Sequence, residues 1–239
     1  QFAKVQPMTH GKTAEWRKFM GATQVETRCT SGQMSNTAVF SALMDWKNRL
    51  DRKHDPKRLG YVLNNHIIKG GHLSAQPMGA LKDYIAVDPV TEKSAIVNFP
   101  VCKDNIYKID VEETKKGIEK YRPELIIFGK SMVLHKEPVA AIRQFVDEQN
   151  ISTTIMYDMA HVLGLVGDYF QKPFEEGAEI VTGWQPYQGT TWTVRVNNGV
   201  FGAFNPYTTE VYGDWYFAPT VRHTGCVYMD DVALYEALT

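Results

Sequence analysis

The chain has 239 residues with 26 basic and 27 acidic side chains, enough for one large domain or two small ones. That balance offers no electrostatic case for nucleic acid or an anionic membrane. Its three cysteines, Cys29, Cys102 and Cys226, lie far apart and fit neither a disulfide framework nor a metal spacing, which points to a reducing, cytoplasmic setting.

No apolar run is long enough to cross a membrane, and no signal peptide opens the chain. The first residue is Gln1 rather than Met, so a fragment or a processed form is expected. Composition breaks near Gly183. Every lysine lies within residues 1–183, and residues 184–239 hold 12 of the 28 aromatics. The expected division is therefore 1–183 and 184–239. No internal repeat or low-complexity tract is visible.

Residues 14–20 place Trp16, Phe19 and Met20 at helical spacing, and Gly21 ends that turn. Residues 23–29 alternate weakly and predict a strand. A helix is expected from Ser31 to about Leu50, with Val39, Leu43, Trp46 and Leu50 along one face. Ser31 reads as its N-cap. The pair Ser31-Gly32 at a helix N-terminus is also a phosphate site, because free backbone N–H groups and the positive dipole end meet there. Residues 51–58 form a charged loop with Pro56, and residues 59–64 a buried strand. The stretch His66-Ile67-Ile68-Lys69-Gly70-Gly71-His72-Leu73-Ser74 follows. His72 reads as a loop residue or as a ligand contact, and Lys69 as exposed.

Residues 74–81 predict a short helix. Residues 84–87 and 95–99 predict strands joined by a proline-containing turn. Asp110 and Glu113 form a capping-box pattern that opens a helix ending near Tyr121. Residues 125–128 predict a strand. Gly129-Lys130-Ser131 stands at its C-terminal end, where α/β proteins place ligands. Lys130 there reads as a solvated loop lysine. Pro138 opens a helix carrying Ile142, Phe145 and Val146.

A further strand runs into Tyr157-Asp158-Met159-Ala160-His161-Val162-Leu163-Gly164-Leu165-Val166. A carboxylate at the end of a buried strand is costly unless something polar or positive meets it. Asp158 is either a helix cap or the partner of a cationic ring nitrogen. His161 is either a hydrogen-bonded core residue or a contact to the same ligand. Residues 178–182 give one more strand. This alternation of strands and helices across 30–183 predicts a parallel sheet with helices on both faces. The remainder reads as β structure at residues 190–196, 199–204, 211–217 and 225–235, with a turn signal at Asn197-Asn198-Gly199.

Three of these motifs resemble the serine (glycine) hydroxymethyltransferases and their threonine-aldolase and transaldolase relatives. Tyr157 to Val166 is similar to the family's Asp-Met-Ala-His-x-x-Gly-Leu-Val segment. Ser31-Gly32-Gln33-Met34-Ser35-Asn36-Thr37-Ala38-Val39 is similar to its phosphate-cradling Ser-Gly-Ser-x-Ala-Asn-x-Ala-Val, with Gln33 where serine is usual. Gly71-His72-Leu73 matches its Gly-Gly-His-Leu.

The resemblance covers residues 14–183 and implies the large domain of a pyridoxal-phosphate transferase with the aspartate-aminotransferase fold. It implies pyridoxal 5'-phosphate as cofactor, a small amino-acid substrate, one-carbon or aldehyde transfer at the α-carbon of glycine, serine or threonine, and a homodimer. Ser31, Gly32 and Gln33 would hold the phosphate, and His72 would stack on the pyridine ring. Asp158 would keep the ring nitrogen protonated, while Ser131 and His161 would address the phenolic oxygen. His72 and His161 are the catalytic candidates.

The family's next strand runs into the lysine that holds the cofactor covalently. Here Val181-Thr182-Gly183 continues as Trp184-Gln185-Pro186-Tyr187-Gln188, which puts Tyr187 in the lysine slot, and no lysine follows. Residues 227–235 resemble the closing strand of carbohydrate-binding β-sandwiches, and Trp192, Trp215 and Tyr216 pack in a sheet or stack on sugars. The competing expectation is a non-catalytic binding protein, or an engineered or chimeric fragment.

Overall fold

The computed structural model describes residues 17–18, 20–26, 29, 31–50, 56–162 and 170–183, together with the backbone of three strands within 194–212. Helix α1 (Gly32–Lys47) begins where Ser31 turns extended, and the Ser31 hydroxyl accepts the Met34 N–H. Strand β1 (Val62–Asn64) comes next, then β2 (Ile96–Asn98) and α2 (Val111–Tyr121). The Asp110 carboxylate caps α2 by accepting the Glu113 N–H at 3.1 Å. Strand β3 (Leu125–Phe128), helix α3 (Val139–Glu148), β4 (Thr154–Asp158) and β5 (Ile180–Thr182) complete the α/β part.

The five strands form one all-parallel sheet in the order β2-β1-β3-β4-β5. Successive side chains of a strand point to opposite faces, and the two cores divide accordingly. Val62, Leu125, Ile127 and Met156 pack on one face with Phe40 of α1 and with Leu81 and Ile85. Leu63, Ile126, Phe128, Ile155 and Tyr157 pack on the other with Ile118 of α2 and Val139, Ile142 and Val146 of α3. The expected α/β class, a mainly parallel sheet with helices on both faces, is what the chain adopts. The chain runs outward from β1 to β2 and then returns to β3. That reversal opens a crevice at the C-terminal ends of β1 and β3, the place where open α/β sheets bind ligands.

Three further strands, β6 (Val194–Asn197), β7 (Val200–Asn205) and β8 (Glu210–Tyr212), pair antiparallel in a separate sheet. Asn197 pairs with Val200 at one end of the β6–β7 ladder. The strands expected over 225–235 lie outside the described residues. Among the described residues, no helix is long and apolar enough to cross a membrane.

Several expectations are corrected. Of residues 23–29, the described ones form no strand. Residues 84–87 contribute only isolated bridges, Leu59 to Ile85 and Val87 to Ser94, because the turn through Pro89 leaves no partner for a continuous ladder. The helix expected over 74–81 is two short 3-10 turns, Leu73–Ala75 and Ala80–Asp83. On α1, Val39 and Leu43 pack on the core, but Trp46 and Leu50 are exposed. Phe40 is the fully buried hydrophobic residue there, and Arg49 covers the outward Trp46 ring at 4.0 Å. That contact is a cation–π interaction on the solvent side of the helix.

Candidate functional site

The first turns of α1, the loop leaving β1 and the C-terminal ends of β4 and β5 meet above the sheet. In the first turn of a helix the amides have no carbonyl four residues back to bond. Ser31 occupies one of these donors, its hydroxyl taking the Met34 N–H at 3.1 Å, while its carbonyl starts the helical ladder by accepting the Ser35 N–H at 3.0 Å. The Gly32 and Gln33 amides precede any intrahelical acceptor. Ser31 and Gly32 are half-buried and Gln33 is exposed.

One turn further along α1, Asn36 is fully buried and joins three elements. Its amide nitrogen donates to Asp158 Oδ2 at 2.7 Å and to Ser74 Oγ at 2.6 Å, and its Oδ1 accepts from Thr182 Oγ1 at 2.7 Å. Asp158 closes β4 and pairs in register with Thr182 of β5. Its Oδ1 accepts the Ala160 N–H at 3.0 Å, so the carboxylate closes the tight turn that follows β4. Gly129 lets this strand end approach closely: its φ is +99°, and a Cβ there would run into the Asp158 backbone.

His72 stands 3.8 Å from Asp158 through Nδ1, and its ring centroid lies 5.1 Å from that of His161. Gly71 brings His72 in; a Cβ at Gly71 would meet the backbone of Asn65. Both ring nitrogens of His161 are buried without a hydrogen-bond partner among the described residues. Its pKa falls to about 4, chiefly because burial penalises the cation, with His72 adding to this and Asp158 opposing. His161 therefore presents a neutral ring at ordinary pH. Ser131 is half-buried, and its N–H donates to the Gly70 carbonyl at 2.8 Å, which holds it beside the glycine pair that leads into His72.

Beneath this layer lies a second buried network. Lys130 is 2% exposed, against the expectation of a solvated loop lysine. Its ammonium donates to the Tyr107 carbonyl at 2.6 Å and pairs with Glu137, 3% exposed, at 3.1 Å. Asn65 donates to the other Glu137 oxygen at 3.1 Å. Gln171 donates to the Glu137 carbonyl at 2.7 Å and accepts from the Tyr157 hydroxyl at 3.1 Å. Burial, followed by the charges of Glu137, Glu176 and Asp158, pushes the Tyr157 phenol well above its usual pKa. Lys69, expected to be exposed, is half-buried.

The structure thus brings Asp158, His72 and His161 into contact, and Asn36 ties the α1 segment that begins at Ser31 to them. Tyr187 lies outside the described residues. Motif reading assigned no role to Asn36, Ser74 or Thr182. The available signal was Asn36 itself, a polar residue four positions before Phe40 on the buried face of α1.

A parallel sheet whose strand C-termini gather a helix N-terminus, an imidazole and a strand-end acid defines an α/β domain of the pyridoxal-phosphate transferase type. The family model "Serine hydroxymethyltransferase" matches residues 12–193. The serine hydroxymethyltransferase of Archaeoglobus fulgidus is 32% identical over 168 residues, 70% of this chain and 33% of that protein. That of Methanocella arvoryzae is 34% identical over 175 residues, 72% of this chain and 36% of that protein. The chain belongs to the serine hydroxymethyltransferase family and spans about a third of the length of the curated relatives it matches. Residues 181–239 match a second model, "Glycoside hydrolase 120, insertion domain". The two matches overlap over residues 181–193.

Proposed function

We propose that the described α/β part is the pyridoxal 5'-phosphate-binding face of a hydroxymethyltransferase or threonine (trans)aldolase-like enzyme. The observation that carries this reading is His161. A polar ring buried with both nitrogens unpartnered is costly unless a ligand satisfies it, and it lies against His72 beside Asp158. The donor set fits the cofactor. Amides at a helix N-terminus (Gly32, Gln33) with the Ser31 hydroxyl suit a phosphate. The half-buried His72 ring suits a flat stack, and Asp158 suits a protonated ring nitrogen. Ser131 and His161 suit the phenolic oxygen.

When bound, the cofactor supplies an electron sink for bond cleavage at the α-carbon of an amino acid such as glycine, serine or threonine. The protein's part is to hold and to shield. Asn36 fixes the rotamer of Asp158, and Asp158 supplies the negative charge. The neutral His161 offers a ring nitrogen in a dry pocket, where a hydrogen bond is electrostatically stronger than in water. Cytoplasmic location, a homodimer with shared sites and a small amino-acid substrate belong to the same proposal.

Tyr187 in the lysine slot removes the covalent anchor, so the cofactor binds reversibly. Equilibrium dialysis tests this: it should show saturable binding that is lost on washing, with no borohydride-fixed lysine adduct. No saturable binding would reject the cofactor site, and a fixed adduct would reject the loss of the anchor.

A second reading is supported by the match of residues 181–239 to an insertion domain of a glycoside hydrolase family. Here 184–239 is a separate β module that binds carbohydrate through Trp192, Trp215 and Tyr216, and the chain is a chimeric, non-catalytic binding protein divided at 183. Affinity electrophoresis in polysaccharide gels checks it: retardation of the chain, lost in Trp215→Ala, is expected under this reading and not under the first.

A further inference from the structure

Ser74 and Asn36 have no part in holding the cofactor as proposed above, yet both are buried and both bond around His72. Asn36 sets the direction of the chain of donors. A carboxylate only accepts, so the Asn36 amide must present its nitrogen to Asp158 Oδ2, 2.7 Å away, and its oxygen to the Thr182 hydroxyl, also at 2.7 Å. The same nitrogen sends its second proton to Ser74 Oγ at 2.6 Å. Ser74 therefore receives one hydrogen bond and has its own hydroxyl proton left to donate. Its oxygen lies 2.5 Å from His72 Nδ1. The Ser74 backbone N–H also points at Nδ1, at 3.3 Å. Two donors converge on one ring nitrogen, and that nitrogen must be the bare one.

We infer that Ser74, oriented by Asn36, is a positioning residue that holds His72 in the neutral tautomer with Nδ1 bare and the proton on Nε2, and so prevents His72 from pairing with Asp158. The alternative arrangement is close at hand. With a proton on Nδ1, His72 would be the natural donor to Asp158 Oδ2, 3.8 Å away, and would occupy the carboxylate. The 2.5 Å contact to Ser74 is the shorter of the two and claims Nδ1 first. His161 does not compete for that proton, because its ring nitrogens contact no hydrogen-bond partner. Resting on the cofactor reading above, the consequence is that Asp158 is reserved for a cationic ring nitrogen of the ligand.

Long-range 1H–15N correlation spectra of the histidine rings test the inference without any cofactor present. In the wild-type chain at pH 8, His72 should show Nδ1 in the unprotonated range and Nε2 in the protonated range. Ser74→Ala should move the proton to Nδ1, and Ser74→Thr, which keeps the hydroxyl, should restore the wild-type pattern. A wild-type spectrum with Nδ1 protonated overturns the inference whether or not any variant folds, and so does a Ser74→Ala spectrum unchanged from wild type. Dialysis against pyridoxal phosphate adds a separate arm. Wild-type binding weakened several-fold in Ser74→Ala is the expected result. If the wild-type chain binds none while Nδ1 is bare, the cofactor reading fails and the tautomer assignment stands.

Discussion

Asp158 uses both carboxylate oxygens within the protein: Oδ1 on the Ala160 N–H and Oδ2 on the Asn36 amide. That changes what its amide variant tests. If Asp158 merely capped a helix, asparagine would serve about as well. In this arrangement Asp158→Asn offers one oxygen to two donors and turns an NH2 group towards one of them. Leaving a buried donor unmet costs about 1–3 kcal/mol, and a urea midpoint should register that loss alongside weaker cofactor binding. An unchanged midpoint would mean that the Asn36 bond contributes nothing. His161 gives the pH signature of the same site. Its pKa is about 4 in the folded chain against 6.5 ordinarily, so between these values the unfolded chain holds a proton that the folded chain refuses. Stability therefore falls as pH drops through that window, by roughly 3 kcal/mol in full and about 2 kcal/mol by pH 5. His161→Gln should flatten this slope between pH 7 and 5; equal slopes in the two proteins would place the buried histidine elsewhere.

At the scale of elements, the strands and long helices were legible because their signals are local. Residues 125–128 are four apolar side chains ended by a glycine, and Asp110 with Glu113 announces α2 before its first turn. The segments read wrongly depend on partners distant in sequence. Residues 84–87 carry strand-like residues, but they form just two isolated bridges, Ile85 to Leu59 and Val87 to Ser94. Lys130 was misread for the same reason: its burial is decided by Glu137 and the Tyr107 carbonyl, and neither is visible from Gly129-Lys130-Ser131. The pair also ties the end of β3 to the approach to α3. Its neighbour Gly71 bridges Lys130 along the backbone, so the segment bearing His72 is braced against the same strand end. Lys130→Met leaves Glu137 buried without its cation, and a loss of about 3–5 kcal/mol is expected in denaturant melts. Adding Glu137→Leu should return most of it. A Lys130→Met midpoint within error of wild type would show that the pair is not closed in solution.

For the whole molecule, the open question is whether the path after β5 still leads to the site. The candidate site was legible in three motifs because each sits at a strand C-terminal end or a helix N-terminus, where chain direction alone places side chains near one crevice. The hub Asn36 was legible only as a polar residue out of place, and Thr182 only once β5 lay beside β4. Beyond Gly183 the chain holds no lysine, although the family match runs on to residue 193. Pro186 biases Gln185 towards extended backbone and removes an N–H donor. Downstream, β6, β7 and β8 form their own antiparallel sheet, and residues 181–239 match the insertion-domain model of glycoside hydrolase 120. On these grounds we propose that the chain after Gly183 does not return Tyr187 to the cofactor. Tyr187→Lys should then give no borohydride-fixed cofactor adduct at residue 187, as judged by peptide mass mapping, and no spectral response to added glycine or serine. If the variant instead forms that adduct, the chain after Thr182 keeps the family's course, and loss of the lysine alone accounts for the missing covalent anchor.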